Sequence, residues 1–161
     1  MKNLVVYDSQ FGNTKSVAEA IGSALAGYGR VMVIHVSDIQ AGDISGLNTL
    51  FVGSPTQQFS ATGAIRNWLD KLPEGSLRGV RAAAFDTRFT KEKIDEVKIL
   101  SFFASKFGYG AEPIAKRLAT KGANLVLEPE GFYVADTEGP LLKQDLERAI
   151  AWAMLIRTRS L

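Results

Sequence analysis

A chain of 161 residues, 46% apolar and 22% charged with a formal net charge of only +2, has the size and mixture of one globular domain around a substantial core. That charge balance offers no broad basic field for nucleic acid. Cysteine is absent and histidine occurs once, at His35, which excludes disulfides, thiolate catalysis, Cys-ligated zinc or iron–sulfur centres and a histidine metal site together.

No apolar run approaches the length of a membrane span, and Met1-Lys2-Asn3 leads straight into an apolar run without the features of a signal peptide; a cytoplasmic location is expected. Leu4 to Tyr7 is continuously apolar, as a strand buried on both faces of a parallel sheet requires. Val17, Ala18, Ile21 and Leu25 then recur at helical spacing, predicting a helix from about Asn13 to Ala26 that Gly27 closes. The residues between, Asp8 to Thr14, are mostly small or hydroxyl-bearing. A tight strand-to-helix turn aims backbone N–H groups and the positive end of a helix at one spot, which makes an anion site. Ser9 and Thr14 add hydroxyl donors and Asn13 an amide, so the loop can hold a phosphate by hydrogen bonds, without Lys or Arg. The competing reading is an ordinary helix start capped by Asn13 or Thr14.

Arg30 to Val36 reads as a second strand, with His35 a structural residue within it, and Ser37 to Ile44 as a short turn or helical element. Leu47 to Gly53 is a third strand, Ala64 to Leu72 a helix stopped by Pro73, and Val80 to Asp86 a fourth strand. Lys91 to Thr120 is helical twice over: Ile94, Val97, Leu100, Ala104 and Phe107 form one stripe, Ile114, Ala115 and Leu118 another, with Gly108-Tyr109-Gly110 between. Ile99 to Phe103 is too apolar for one buried stripe, which points to packing under the sheet edge, a cover over a ligand, or a homodimer contact through segment 94–107. Asn124 to Leu127, resumed at Phe132 to Val134 after Pro129, supplies the fifth strand. Leu141 to Ile156 is the last helix, with Leu142, Leu146, Ile150, Met154 and Leu155 expected to point inward. Strands alternating with helices throughout predict an α/β fold, a doubly wound parallel sheet with helices on both faces, in a single domain over 1–161. Ligands bind such sheets off the carboxyl ends of the strands, at the switch point beside strand 1, so the turns after strands 1, 3 and 4 carry the chemistry.

Two of those turns carry a resemblance. Tyr7 to Thr14, ending Gly12-Asn13-Thr14, resembles the phosphate-binding loop of flavodoxins, and Gly53-Ser54-Pro55-Thr56 with Phe59 and Gly63 resembles their second flavin loop. The resemblance implies a five-stranded sheet of order 2-1-3-4-5 and FMN as cofactor. It places the phosphate against Ser9, Gln10, Phe11, Gly12, Asn13 and Thr14, and the flavin against Ser54, Pro55, Thr56, Gln57 and Phe59. The turn after strand 4 would add Asp86, Thr87, Arg88 and Phe89; Phe89 stands nearest to where the family often has a stacking Tyr, and Tyr109 is the alternative ring.

The implied function is electron transfer with a redox partner protein, in which the cofactor does the chemistry and no catalytic residue is required. The alternative is a small FMN-dependent reductase passing hydride from a nicotinamide to a quinone-type acceptor. A phosphoacceptor signalling domain on the same sheet would need an acidic cluster, of which only Asp8 is present. Flavodoxins are usually strongly acidic and this chain is not: Arg88, Lys91 and Lys93 stand against Asp8 and Asp86 near the loops, predicting a less negative potential for the bound flavin. The loop sequences contain no second basic or Gly-rich site for an adenylate, so mass spectrometry of the released flavin should find FMN, and FAD alone would contradict the reading.

Overall fold

In the computed structural model, which describes residues 1–96 and 108–158, the apolar run near the amino terminus becomes the central strand. Leu4, Val5 and Val6 have no exposed surface because β1 (Lys2–Tyr7) has a strand on either side and a helical layer on either face. β1 pairs in parallel with β2 (Arg30–His35) and β3 (Thr49–Pro55), and β3 with β4 (Arg81–Phe89). The fifth position is filled in two pieces along β4: β5 (Asn124–Leu125) pairs at Arg81 and Ala82, and β6 (Glu130–Val134) pairs from Phe85 to Phe89. The order is therefore 2-1-3-4-5 as expected, with the last strand interrupted around Pro129, which has no N–H to give to a ladder.

The α-helices among the described residues are α1 (Asn13–Leu25), α2 (Gly63–Lys71), the short α3 (Lys91–Asp95), α4 (Ala111–Thr120) and α5 (Asp145–Met154). Side chains alternate across each strand, so the central strands β1, β3 and β4 feed two cores. Leu4, Val6, Leu50, Val52, Ala82 and Ala84 pack with Ile65 and Leu69 of α2 and Ile114 and Leu118 of α4. On the other face Val5, Phe51, Ala83 and Phe85 meet Val17 and Ile21 of α1 and Ala149 and Trp152 of α5. There Trp152 lies edge-on to Phe51, Phe132 and Phe85, with ring centroids at 5.4, 6.0 and 6.4 Å.

Two sequence expectations change. β3 and β4 run further at their carboxyl ends than expected, because the pairs Ser54↔Asp86 and Pro55↔Thr87 continue the ladder and β6 supplies partners to Thr87, Arg88 and Phe89. Asp86 to Phe89 is thus strand rather than turn. The last helix is out of phase with its expected face: α5 buries Asp145, Ala149, Trp152 and Ala153, while Leu146, Ile150 and Leu155 are 39%, 41% and 45% exposed. The physical reason is close packing on α1, where small alanines fit and Trp152 reaches the sheet between them. The contact expected of segment 94–107 lies outside the described residues from Val97 onward; Ile94 is buried on α3. Among the described residues no helix is long and apolar enough to cross a membrane.

This phase is open to measurement. Trp152→Ala should lower the unfolding free energy by about 3–5 kcal/mol, whereas Leu146→Gln and Ile150→Gln should each change it by less than about 0.5 kcal/mol. Urea denaturation of the apoprotein reads both; comparable losses at all three positions would restore the face expected from sequence.

Candidate functional site

Off the carboxyl ends of β1, β3 and β4 opens a cavity of about 740 Å³. Ser9, Gln10, Phe11, Asn13 and Thr14 line it from the first loop, Pro55, Thr56, Gln57 and Phe59 from the second, and Thr87, Arg88 and Phe89 from the end of β4.

The first loop is built to present donors. Gly12 is the N-cap residue of α1, in the left-handed region at φ 91°, and offers no side-chain acceptor to the helix. This displaces the expectation of an ordinary start capped by Asn13 or Thr14. The amides of Gly12 and Lys15 converge on one oxygen, Ser9 Oγ, at 3.1 and 3.3 Å. Convergence of helix-start amides on an oxygen is the donor geometry an anion uses. Thr14 is buried and its hydroxyl lies 2.8 Å from that of Thr87, tying the first loop to β4. Asp8 is held at the loop entrance: its Oδ1 accepts from the Ser9 amide at 2.8 Å and lies 3.1 Å from His35 Nε2. His35 therefore has the structural role expected, with its ring edge-on to Tyr7 at 5.4 Å.

In the second loop Ser54 does not line the cavity. It is fully buried, its Oγ accepting from the Thr62 amide and donating to the Pro55 carbonyl, both at 2.9 Å. Gln57 and Ser60 exchange backbone hydrogen bonds at 2.8 and 2.9 Å around Gln58 and Phe59, whose φ values are 47° and 61°. This is a two-residue turn of left-handed residues, a conformation that costs a non-glycine residue roughly 1–2 kcal/mol. It carries Phe59 into the cavity lining. Gln57 Nε2 donates to Gln10 Oε1 at 2.8 Å and so links the second loop to the first.

At the end of β4, Asp86 also lies behind the cavity wall rather than in it. It is fully buried and forks with Arg88, which donates from Nε and Nη2 at 2.6 Å each. The Ala111 amide adds a third donor at 2.8 Å. Burial pushes the Asp86 carboxyl above the ordinary carboxylate range, against the pull of the Arg88 fork and the Ala111 amide. The pair is withdrawn from solvent, Asp86 wholly and Arg88 nearly so. Asp86 matches the charge of Arg88, and Lys93 Nζ lies 3.6 Å from Asp136, so two of the three positive charges behind the expected rise in flavin potential have an acidic partner.

Sequence reading missed Gln58, Ile94, Val134 and Thr137, which line the same cavity, and ranked Tyr109, which also lines it, as an alternative to Phe89. Thr137 belongs to a turn that closes on the first loop: Asn13 Nδ2 donates to the Glu138 carbonyl at 3.0 Å across 125 positions of chain. No local pattern announces a contact of that span.

Comparison with known proteins decides the family. The flavodoxin family model matches residues 5–143. The chain belongs to the flavodoxin family. An archaeal flavodoxin superposes with a TM-score of 0.74 at 22% identity, over 98% of this chain and 97% of that one. Flavodoxin 1 from Bacillus cereus gives 0.74 at 17% identity, over 100% of both chains. The rubredoxin oxygen:oxidoreductase of Desulfovibrio gigas gives 0.73 at 17% identity over 98% of this chain, which spans 35% of that longer one. No curated protein sequence matches. As a flavodoxin-family member the chain is an FMN-binding electron-transfer protein.

The left-handed turn beside the cavity yields a stability prediction. Gln58→Gly should raise the unfolding free energy of the apoprotein by about 0.5 kcal/mol, because relief of the left-handed cost exceeds the added freedom of the unfolded chain. Gln58→Val should lower it. Loss of stability in the glycine variant would show that the turn is unstrained.

Proposed function

We propose that FMN lies in this cavity with its phosphate at the Ser9–Thr14 loop and its ring system beside Phe59, Phe89 and Tyr109, and that the chain carries single electrons between partner proteins. The observation that carries the reading is the convergence of the Gly12 and Lys15 amides on Ser9 Oγ at a helix start whose N-cap residue, Gly12, has no side chain. Bound FMN supplies the redox chemistry. The chain's residues bind, orient and shield: the amides and the Thr14 hydroxyl hold the phosphate, and the apolar walls of Phe59, Phe89, Ile94 and Val134 exclude water from the ring. Among the described lining residues the titratable groups are Arg88, engaged by Asp86, and Tyr109. Neither is poised to exchange a proton with a substrate, which supports a carrier over a reductase. Phe11, 45% exposed at the rim, offers an apolar contact to a docking protein.

Replacing Thr14 with Ala removes a hydroxyl donor to a dianion. A charge-assisted hydrogen bond contributes roughly 1.5–3 kcal/mol, so FMN affinity should fall about ten- to a hundred-fold while riboflavin affinity hardly moves. Equal losses for both ligands would place the phosphate elsewhere. Anaerobic NADH or NADPH should leave the flavin of the holoprotein oxidised over seconds to minutes; bleaching at turnover rates would make the chain a reductase.

A further inference from the structure

We infer that Arg88 is a positioning residue: its guanidinium, forked on Asp86 and packed between Gly131 and Tyr109, holds the Tyr109 ring in place as a wall of the flavin cavity. The inference rests on the cavity being the FMN site.

The geometry leaves the guanidinium little freedom. Two of its N–H groups go to the carboxylate of Asp86, which fixes its plane. Its carbon sits 3.8 Å from the centroid of the Tyr109 ring, at stacking distance. On β6, Gly131 lies opposite Asp86 in the ladder, and a Cβ there would overlap Nε and Cζ of Arg88. Gly131 thus supplies the space in which Arg88 lies. Its own carbonyl is held by a hydrogen bond from Arg148 Nη2.

The same ion pair governs the backbone that carries Tyr109. The next two residues, Gly110 and Ala111, donate their amides to Thr56 Oγ1 at 3.0 Å and to Asp86 Oδ2 at 2.8 Å. Asp86 therefore fixes the chain behind Tyr109 while Arg88 fixes its ring. An arginine serves here and a lysine does not, because only the planar guanidinium forks on a carboxylate and presents a face to a ring at once. Arg88 itself lines the cavity, so a competing account has its charge act on the flavin directly. The two accounts differ in what a lysine does and in whether Tyr109 is needed.

The test uses apoprotein reconstituted with FMN, reading the dissociation constant and the residual fluorescence of bound flavin, which a nearby aromatic ring quenches. Arg88→Lys keeps the charge, and Asp86 stays paired, but it loses the stack. We expect it to weaken FMN about tenfold, the scale of one aromatic contact, and to brighten the bound flavin. Tyr109→Ala should do the same. The double variant should resemble Tyr109→Ala alone, within about twofold, because Arg88 acts through that ring. Gly131→Ala, which evicts the guanidinium without removing it, should reproduce Arg88→Lys. Wild-type behaviour of Arg88→Lys, multiplying losses in the double variant, or a folded Gly131→Ala with unchanged affinity and fluorescence would each overturn the inference. Failure of the wild-type protein to bind FMN would instead bring down the assignment of the cavity, whatever the variants do.

Discussion

Parallel pairing is the constraint on which the site depends. A parallel neighbour is reached only by a crossover, so each strand of this sheet ends on the same side and each crossover begins there. The registers Tyr7↔Gly53 and Gly53↔Phe85 put the ends of β1, β3 and β4 on one side of the sheet, each strand reaching two residues beyond the one before. Three segments far apart in sequence therefore open onto one cavity, and the helix that follows β1 lines it with its first residues, Asn13 and Thr14. Nothing in the loops alone could bring them together. The core supplies that order through residues that never meet a ligand, from Val5 and Phe51 to Trp152.

The buried Asp86–Arg88 pair shows how such a site tolerates an expensive arrangement. An isolated carboxylate at full burial would be costly, and a pair alone rarely offsets the desolvation. Here the carboxylate receives three N–H donors, two from Arg88 and one from the start of α4, and the guanidinium lies against an aromatic face. The arrangement joins β4 to the beginning of α4. Its value lies in geometry: it sets where a backbone turn and a ring come to rest beside the cavity.

Much of this was legible in the sequence, and the limits are physical. Continuous apolar runs identify buried strands well, which is why β1 and the sheet order were readable, and the Gly12-Asn13-Thr14 turn announces its donors through residue type. The ends of β3 and β4 were not legible, because strand length there is set by partners across the sheet, β4 for β3 and β6 for β4, not by local propensity. Leu146 and Ile150 misled because helical spacing shows that an apolar face exists but not which face has a neighbour; the close approach of α1 gives that place to Ala149 and Ala153. The resemblance implied Ser54 and Asp86 as flavin contacts, yet both spend hydrogen bonds on the protein itself.

The hydrogen bond from Asn13 to the Glu138 carbonyl has a consequence for how the protein is made. The first loop is synthesised well before the turn that closes on it, 125 positions further along the chain. A nascent chain carrying the whole first loop still lacks Val134, Thr137 and the Asn13 tether. The cavity is thereby walled on both sides only after Thr137 and Glu138 have been made. Ligand binding stabilises only the state that binds, so a ligand in this cavity would favour the chain with both walls in place over the half that first displays the loop.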